Sequence, residues 1–494
     1  DVFYWPTDMS LVVRELVVDT NPPLKGLAIY IEGLADPSRI DQAIIEPLMI
    51  LSQIVPEEEK APQLDIIKQR LLSASAVKTN EKFTEIVEDI LSGFTALFFQ
   101  GIPQALIVET SGWPRRSIDQ PVSERVIRGP QEGFTEDLAA NASMIRRLLR
   151  DPKLSRINLK VGLRAHNQCA ILYIADLANP ALIKEIRRRL ESLEVDAVLS
   201  SGALEQLIQD SSWGIYPLSM STERPDRVVA SLLDGKAVVF LEGDPFALVY
   251  PSDVWSLLHA AEDPSSPGPG VTIIRFIRWL AAGMLLFLPG MYLAIVGFHP
   301  EMLPTDLLLS IAANRERVPF PSVIEVLLME LSFELIREAG VRIPGVIGPT
   351  LGIVGAIILG QAAVAANLVN PIVIVIVALT GISVFAIPSY FLRITLRVYR
   401  FLYIFLGSTL GLLGMAAGVT YQFIVVVSLK SMGAPYLAPL GPFTFSNKDI
   451  LARGMLWNQE RRQDYLGAQD KYRQAPISRK WILSPGGQGR KKQQ

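Results

Sequence analysis

Three long stretches of the chain carry no Asp, Glu, Lys or Arg: residues 279–300, 343–392 and 401–429. At about 20 apolar residues per membrane crossing, the first has room for one span and the second for two. The pattern predicts one span over Trp279–Phe298 and a tight pair, Val346–Leu368 and Ile372–Phe391, around Asn370-Pro371. Phe401–Leu429 is long for a single span, and Gly407, Gly411, Gly414 and Gly418 give it close-packing or breaking points. Between the first two spans, Pro321–Gly340 reads as a helix, with Pro at its start and Gly at its end. Glu330, Glu334, Arg337 and Glu338 cluster on one face of it, and Glu325 lies apart from them.

The front of the chain has a different pattern, and it occurs twice. Ala28–Pro37 is matched by Ile171–Pro180, and Leu91–Leu106 by Leu233–Leu248, at offsets of 143 and 142 residues. Each copy reads as a small α/β module. A buried apolar run ends in Asp-Pro or Asn-Pro and enters a helix (Ile40–Leu51; Ala181–Leu193), with proline where a helix start tolerates it. Two further apolar runs meet at a Gly-x-Pro turn (Gly101 and Pro103; Gly243 and Pro245), the signature of a hairpin. The expected fold is therefore an α/β N-terminal region of two duplicated modules, an all-α multi-span membrane domain and a basic C-terminal tail. Its expected segments are 1–111, 155–262, a linker at 263–278, 279–430 with four to six membrane helices, and 431–494. Residues 112–154 join the modules, and Phe134, Leu138, Ile145 and Leu149 fall near one helical face there.

Composition sharpens this division. The 494 residues sum to a net charge of −2 with a mean hydropathy of +0.31, but the tail from Lys430 onward is strongly basic, so neutrality is a cancellation. A near-neutral chain gives nucleic acid no footprint. One cysteine, Cys169, excludes an internal disulfide framework, and three scattered histidines have no zinc-like spacing. Neither module has a Gly-x-Gly-x-x-Gly turn, a phosphate loop, a nucleophile elbow or a Ser-His-Asp cue. No enzyme, cofactor or metal site is expected.

Charge also bears on orientation. The first residues show no basic region leading into an apolar run, so the front is expected in the cytoplasm. Arg393, Arg397 and Arg400 and the basic tail flank residues 401–429, and the positive-inside rule wants both in the cytoplasm. That is met if 401–429 is a re-entrant hairpin or two short helices broken at the glycines, and one long tilted span is the alternative. The acidic helix cannot face lipid, because its charges would cost on the order of 10 kcal/mol at about 2.5–3.5 kcal/mol each. It lies at the interface with its acids in water, or it faces a protein interior or an aqueous path.

One segment is more specific than its composition. Arg128-Gly129-Pro130-Gln131-Glu132-Gly133-Phe134-Thr135-Glu136, followed by Asn141 and Arg146-Arg147, resembles the signature of the GerA-type spore germinant receptor A subunits. The likeness continues through Thr222–Asp226, Pro319–Pro321, Glu334–Gly340, Val354–Ala356, Gly360–Ala363 and Ala434–Pro439. Gln131, where the family usually has Arg, and Ala142, where an aliphatic residue is common, depart from it and blur the subfamily; stage V sporulation protein AF is a close paralogue group. The resemblance implies a multi-pass protein of the spore inner membrane that acts with a transporter-like B subunit and a lipoprotein C subunit to sense nutrients. It further implies an oligomeric, ion-conducting component, for which Glu325, Glu330, Glu334, Arg337 and Glu338 are the candidate pore residues. A non-conducting scaffold or signalling subunit is the alternative.

Overall fold

The computed structural model describes residues 3, 8–18, 23–49, 77–112, 121, 124–211, 214–342, 347–444, 449–450 and 452–474. Two five-stranded antiparallel sheets make up the front. The first runs β1-β2-β4-β5-β3, from β1 (Leu11–Val18), β2 (Leu24–Ile31), β3 (Val77–Asn80), β4 (Thr95–Phe99) and β5 (Ala105–Val108). The second runs β6-β7-β9-β10-β8, from β6 (Leu154–Val161), β7 (Asn167–Ile174), β8 (Met220–Thr222), β9 (Ala237–Leu241) and β10 (Ala247–Tyr250). The strand orders are equivalent, and each strand of the second sheet starts 142 or 143 residues after its counterpart.

Helices cover both faces of each sheet. Helix α1 enters at Pro37–Ile40, widens to a π-helical turn at Asp41–Ile45 and returns to α-helix over Glu46–Met49; α2 is Phe83–Leu91. Around the second sheet lie α3 (Leu138–Leu148), α4 (Pro180–Glu191), α5 (Ser201–Ile208) and α6 (Pro225–Leu233). The starts of α1 and α4 follow one recipe. Asp36 and Asn179 accept hydrogen bonds from the amides of Ser38 and Ala181, and Pro37 and Pro180 fill the first helical position. Because both faces are covered, β9 is buried along its whole length. Its Val238 and Phe240 point to one core, and Ala237, Val239 and Leu241 to the other.

The rest is helical: α7 (Gly268–Phe298), α8 (Thr305–Arg315), α9 (Ser322–Arg342), α10 (Ile347–Ala365), α11 (Pro371–Ser383) and α12 (Tyr390–Ser428). Among the described residues, α7 and α12 are the helices long and apolar enough to cross a membrane, at mean hydropathy 2.0 and 1.9. The 13-residue α11 passes through a single 3-10 turn before Tyr390 opens α12, so it falls short of the span expected over Ile372–Phe391. Helix α7 begins eleven residues earlier than the uncharged run, because its two early cations turn inward. Arg275 and Arg278 are buried against Asp263, at 3.1 and 2.9 Å.

Helix α12 is a hairpin. Gly411 has φ 60 and ψ −142 in its middle, a conformation that ends a right-handed helix. Tyr403 donates to Gln422, nineteen residues on, at 2.6 Å; an unbroken helix would hold them about 28 Å apart. Glycines let the backbones meet. A Cβ on Gly414 would lie 2.3 Å from the Leu406 carbonyl oxygen, and one on Gly407 would lie 2.2 Å from that of Gly290 in α7. The turn packs on Phe298, the end of α7, whereas both feet of the hairpin return to the front.

Candidate functional site

Two places concentrate polar chemistry: a charge cluster inside the helices and the seam where the helices meet the second module. In the cluster, α9 lies antiparallel to the first arm of the hairpin. Glu330 accepts from Arg400 at 2.9 Å, with both side chains 1% exposed. Glu334 accepts from Arg400 at 2.7 Å and from Arg337 at 3.1 Å, and it also pairs with Arg397. Three guanidinium groups thus surround two carboxylates. In a low-dielectric interior such pairing offsets the cost of burying each charge, and removing one partner strands the rest. Of the five residues expected from sequence, Glu330, Glu334 and Arg337 come together. Glu338 is exposed beyond them. Glu325 is buried one and a half turns away, accepting from the backbone amide of Asn370 at 2.7 Å.

The partners Arg397 and Arg400 read in the sequence as orientation charges only. Their place opposite the acidic helix has no local signal, since the two segments are more than 60 residues apart. The signal available was chemical: buried carboxylates need cations, and Arg393–Arg400 is a basic run between two uncharged stretches.

The signature segment is a clamp rather than an open site. Arg146 is buried and donates to Asp8 at 2.6 Å, to the Leu154 carbonyl at 2.7 Å and to Ser10. With the Arg156–Glu32 pair, this ties the N-terminal strand region to the second sheet. Arg147 pairs with Glu132. Asn141 holds the backbone of Thr135 from both sides, accepting at 2.8 Å and donating at 2.6 Å. Phe134 packs edge-on to Phe240 at 5.0 Å, and its amide donates to Glu223. The carbonyl of Glu136 accepts from Gly243, and that of Pro130 from the buried Arg224 at 2.8 Å. Gly129 passes beside Ser265 at φ +134, a conformation that favours glycine. Gly133 is buried, and Arg128 is exposed.

Arg224 lies in the Thr222–Asp226 block of the likeness but was not among the expected site residues. It is fully buried, doubly bonded to Asp226 at 3.0 and 2.8 Å, and reaches the Glu124 carbonyl at 3.2 Å. Cys169 and His166 do not form a pair. Cys169 is buried with its thiol pushed up to about 12 by burial, and His166 stands exposed on the turn after β6.

The seam is built from aromatic and amide groups. Tyr216, in the loop before β8, packs tilted against Tyr399 at 5.4 Å and edge-on to Tyr436 at 6.1 Å. Its hydroxyl accepts from Gln422 at 2.6 Å, and Gln422 accepts from Tyr403, so one chain of hydrogen bonds joins the loop to both arms of the hairpin. Thr395 donates to the Ile215 carbonyl at 2.7 Å, and Ser431 to that of Leu218 at 2.6 Å. Beyond the hairpin, the described residues between 430 and 474 fold back on the second module instead of trailing from it. Trp255 donates to the Ala438 carbonyl at 2.9 Å, Tyr465 to Asp253 at 2.7 Å, and Arg462 to the Leu233 carbonyl at 2.7 Å.

Comparison with known proteins follows the same extent. A sequence model of the family described as Bacillus/Clostridium GerA spore germination protein matches residues 5–465. Spore germination protein KA of Bacillus subtilis (strain 168) is 37% identical over 471 residues, which cover 95% of this chain and 86% of that protein. Spore germination protein GerLA of Bacillus cereus is 37% identical over 462 residues, 93% of each. Stage V sporulation protein AF of Bacillus subtilis is 30% identical over 417 residues, 84% of this chain and 83% of that protein. Among solved structures, the N-terminal domain of the A subunit of the Bacillus megaterium spore germinant receptor GerK3 is similar at 27% identity and TM-score 0.38, covering 49% of this chain and 88% of that one.

Proposed function

The chain belongs to the GerA family of spore germination proteins, and from that premise we propose that it is the A-type subunit of a germinant receptor in the spore inner membrane. In this reading it acts with a transporter-like B subunit and a lipoprotein C subunit, and it carries a nutrient signal from the front to the membrane helices. The front and the basic tail lie in the cytoplasm, and the two modules are products of one duplication. The identities to germination proteins KA and GerLA exceed that to stage V sporulation protein AF, which favours the receptor subunit over the paralogue.

The observation that carries the relay is the seam. One hydrophobic core runs from Phe134 of the joining segment and Phe240 and Leu218 of the second module through Tyr216 to Leu285, Leu396 and Tyr403 of the helices. A tilt of the second module is therefore a tilt of the hairpin, and the hairpin carries Arg397 and Arg400. We assign the output as cation flux through a homo-oligomer, with the acidic face of α9 lining or flanking the path; a set of such carboxylates favours cations. Glu330→Gln, Glu334→Gln and Glu338→Gln are then expected to lower cation flux through the reconstituted full chain. Flux unchanged in all three would remove the acidic face from the path.

A second reading has its own support. Glu330 and Glu334 are already neutralised by Arg397, Arg400 and Arg337, as in a structural lock. A non-conducting subunit that only transmits movement needs no more than that. A purified chain that is monomeric and passes no ions would favour it.

A further inference from the structure

Around Glu325, four buried polar atoms lack a partner among the described residues: the second carboxylate oxygen of Glu325, the hydroxyls of Tyr292 and Ser322, and the side-chain amide nitrogen of Asn370. All four residues are at least nine-tenths buried. They come from three elements. Ser322 opens α9 and lies one turn before Glu325 on the same face. Asn370 caps α11 and fixes one oxygen of Glu325 through its backbone amide. Tyr292 of α7 shares a core cluster with Val326, Val369 and Val373, and its phenol is within electrostatic reach of the Glu325 carboxylate. The other charge reaching Tyr292 is that of Arg315, at the exposed end of α8.

Glu330 and Glu334 carry their own guanidinium partners, but no ion pair of Glu325 occurs among the described residues. A buried carboxylate held by a single amide is short of one positive charge, a costly condition in an apolar interior. The oxygens at hand are hard donors of the kind that suit alkali cations. Among the described residues no group of three or more His, Cys, Asp or Glu gathers at a point, so one carboxylate sets the charge to be balanced. The interruption between α10 and α11 supplies the irregular backbone beside it, an arrangement that suits ion binding within helical bundles.

We propose that Glu325, Tyr292 and Ser322 bind one dehydrated monovalent metal cation, sodium or potassium, which bridges α7 and α9 beside the start of α11. The site lies about 9 Å inside the end of α7, at 1.5 Å per residue from Phe298. It is closed within one chain, so it stands whether or not the oligomer conducts.

The test is the unfolding midpoint of the purified full chain in detergent, titrated with sodium or potassium chloride at an ionic strength held constant with choline chloride. A ligand that binds only the folded state raises the midpoint as it saturates. The wild type is expected to show a saturable rise of a few degrees with one of the two metal ions. Glu325→Gln should abolish the rise, Ser322→Ala and Tyr292→Phe should shift it to higher concentration, and the exposed Glu301→Gln should leave it intact. Sodium-23 line broadening that needs a higher sodium concentration in Ser322→Ala serves if Glu325→Gln does not fold. A midpoint that responds equally to choline, responds to pH alone, or rises identically in Glu325→Gln would overturn the proposal.

Discussion

Arg400 is the residue on which the buried acids depend. It is 1% exposed, reaches both Glu330 and Glu334, and sits on the first arm of the hairpin. Truncating one partner of such a pair costs about 3–5 kcal/mol, because a charge is left stranded. Arg400→Leu should therefore lower the unfolding midpoint sharply. In Glu330→Leu/Arg400→Leu the loss should be smaller than the sum of the single losses, and additive losses would contradict direct pairing. In the second module, Glu205 makes a different case. Burial raises its carboxyl above the usual value, against the Ser219 amide that donates to it at 3.3 Å. Its stabilising contribution is complete below the ordinary glutamate value and disappears as pH rises through the raised one. Glu205→Gln should consequently be more stable than wild type at pH 7 and lose that advantage near pH 4, which denaturant titration at the two values would show. The acids of α9 were legible in the sequence because charge interrupts an apolar context. Their cationic partners and the contacts of Arg224 were not, because a contact between distant segments leaves no periodicity.

At the scale of elements, the hairpin of α12 decides the topology. The length of the run, its spaced glycines and the flanking basic groups were visible in the sequence; what they left open was a fold-back or one tilted span. The Tyr403–Gln422 bond and the backbone contact at Gly414 correspond to the fold-back. Cysteines placed at Arg393 and at Lys430 should accordingly be labelled by an impermeant maleimide from the same side of a reconstituted membrane. Cys169, buried and with a thiol near 12, should stay silent as background until the protein unfolds. Labelling of the two positions from opposite faces would contradict the hairpin. Gly407→Leu should disrupt the packing of α7 on the hairpin, since even a Cβ there meets the Gly290 carbonyl oxygen. The early start of α7 was hidden because Arg275 and Arg278 look like a boundary in sequence and turn inward to Asp263 in space. Repetition made the front the easiest part to read: two matched segments were enough to place β2, β4, β5 and their equivalents.

At the scale of the molecule, the second module, α7, α12 and Tyr436 beyond the hairpin share one continuous core, whereas the first module joins through Asp8–Arg146 and Glu32–Arg156. The fold-back of the described tail residues, up to Gln474, is not written in basic composition, which describes charge and not destination. The proposed relay puts its weight on the Tyr216–Gln422–Tyr403 chain. Gln422→Leu should leave the chain folded while weakening the response of ion release to nutrient, and an undiminished response would locate the relay elsewhere. Everything beyond the single chain rests on assembly, because a shared path for ions requires copies arranged around an axis. The most direct measurement is therefore the mass of the full chain in lipid nanodiscs or detergent. A single closed oligomer of several copies is predicted, and a chain that remains monomeric at concentrations where it is folded would contradict the conducting account.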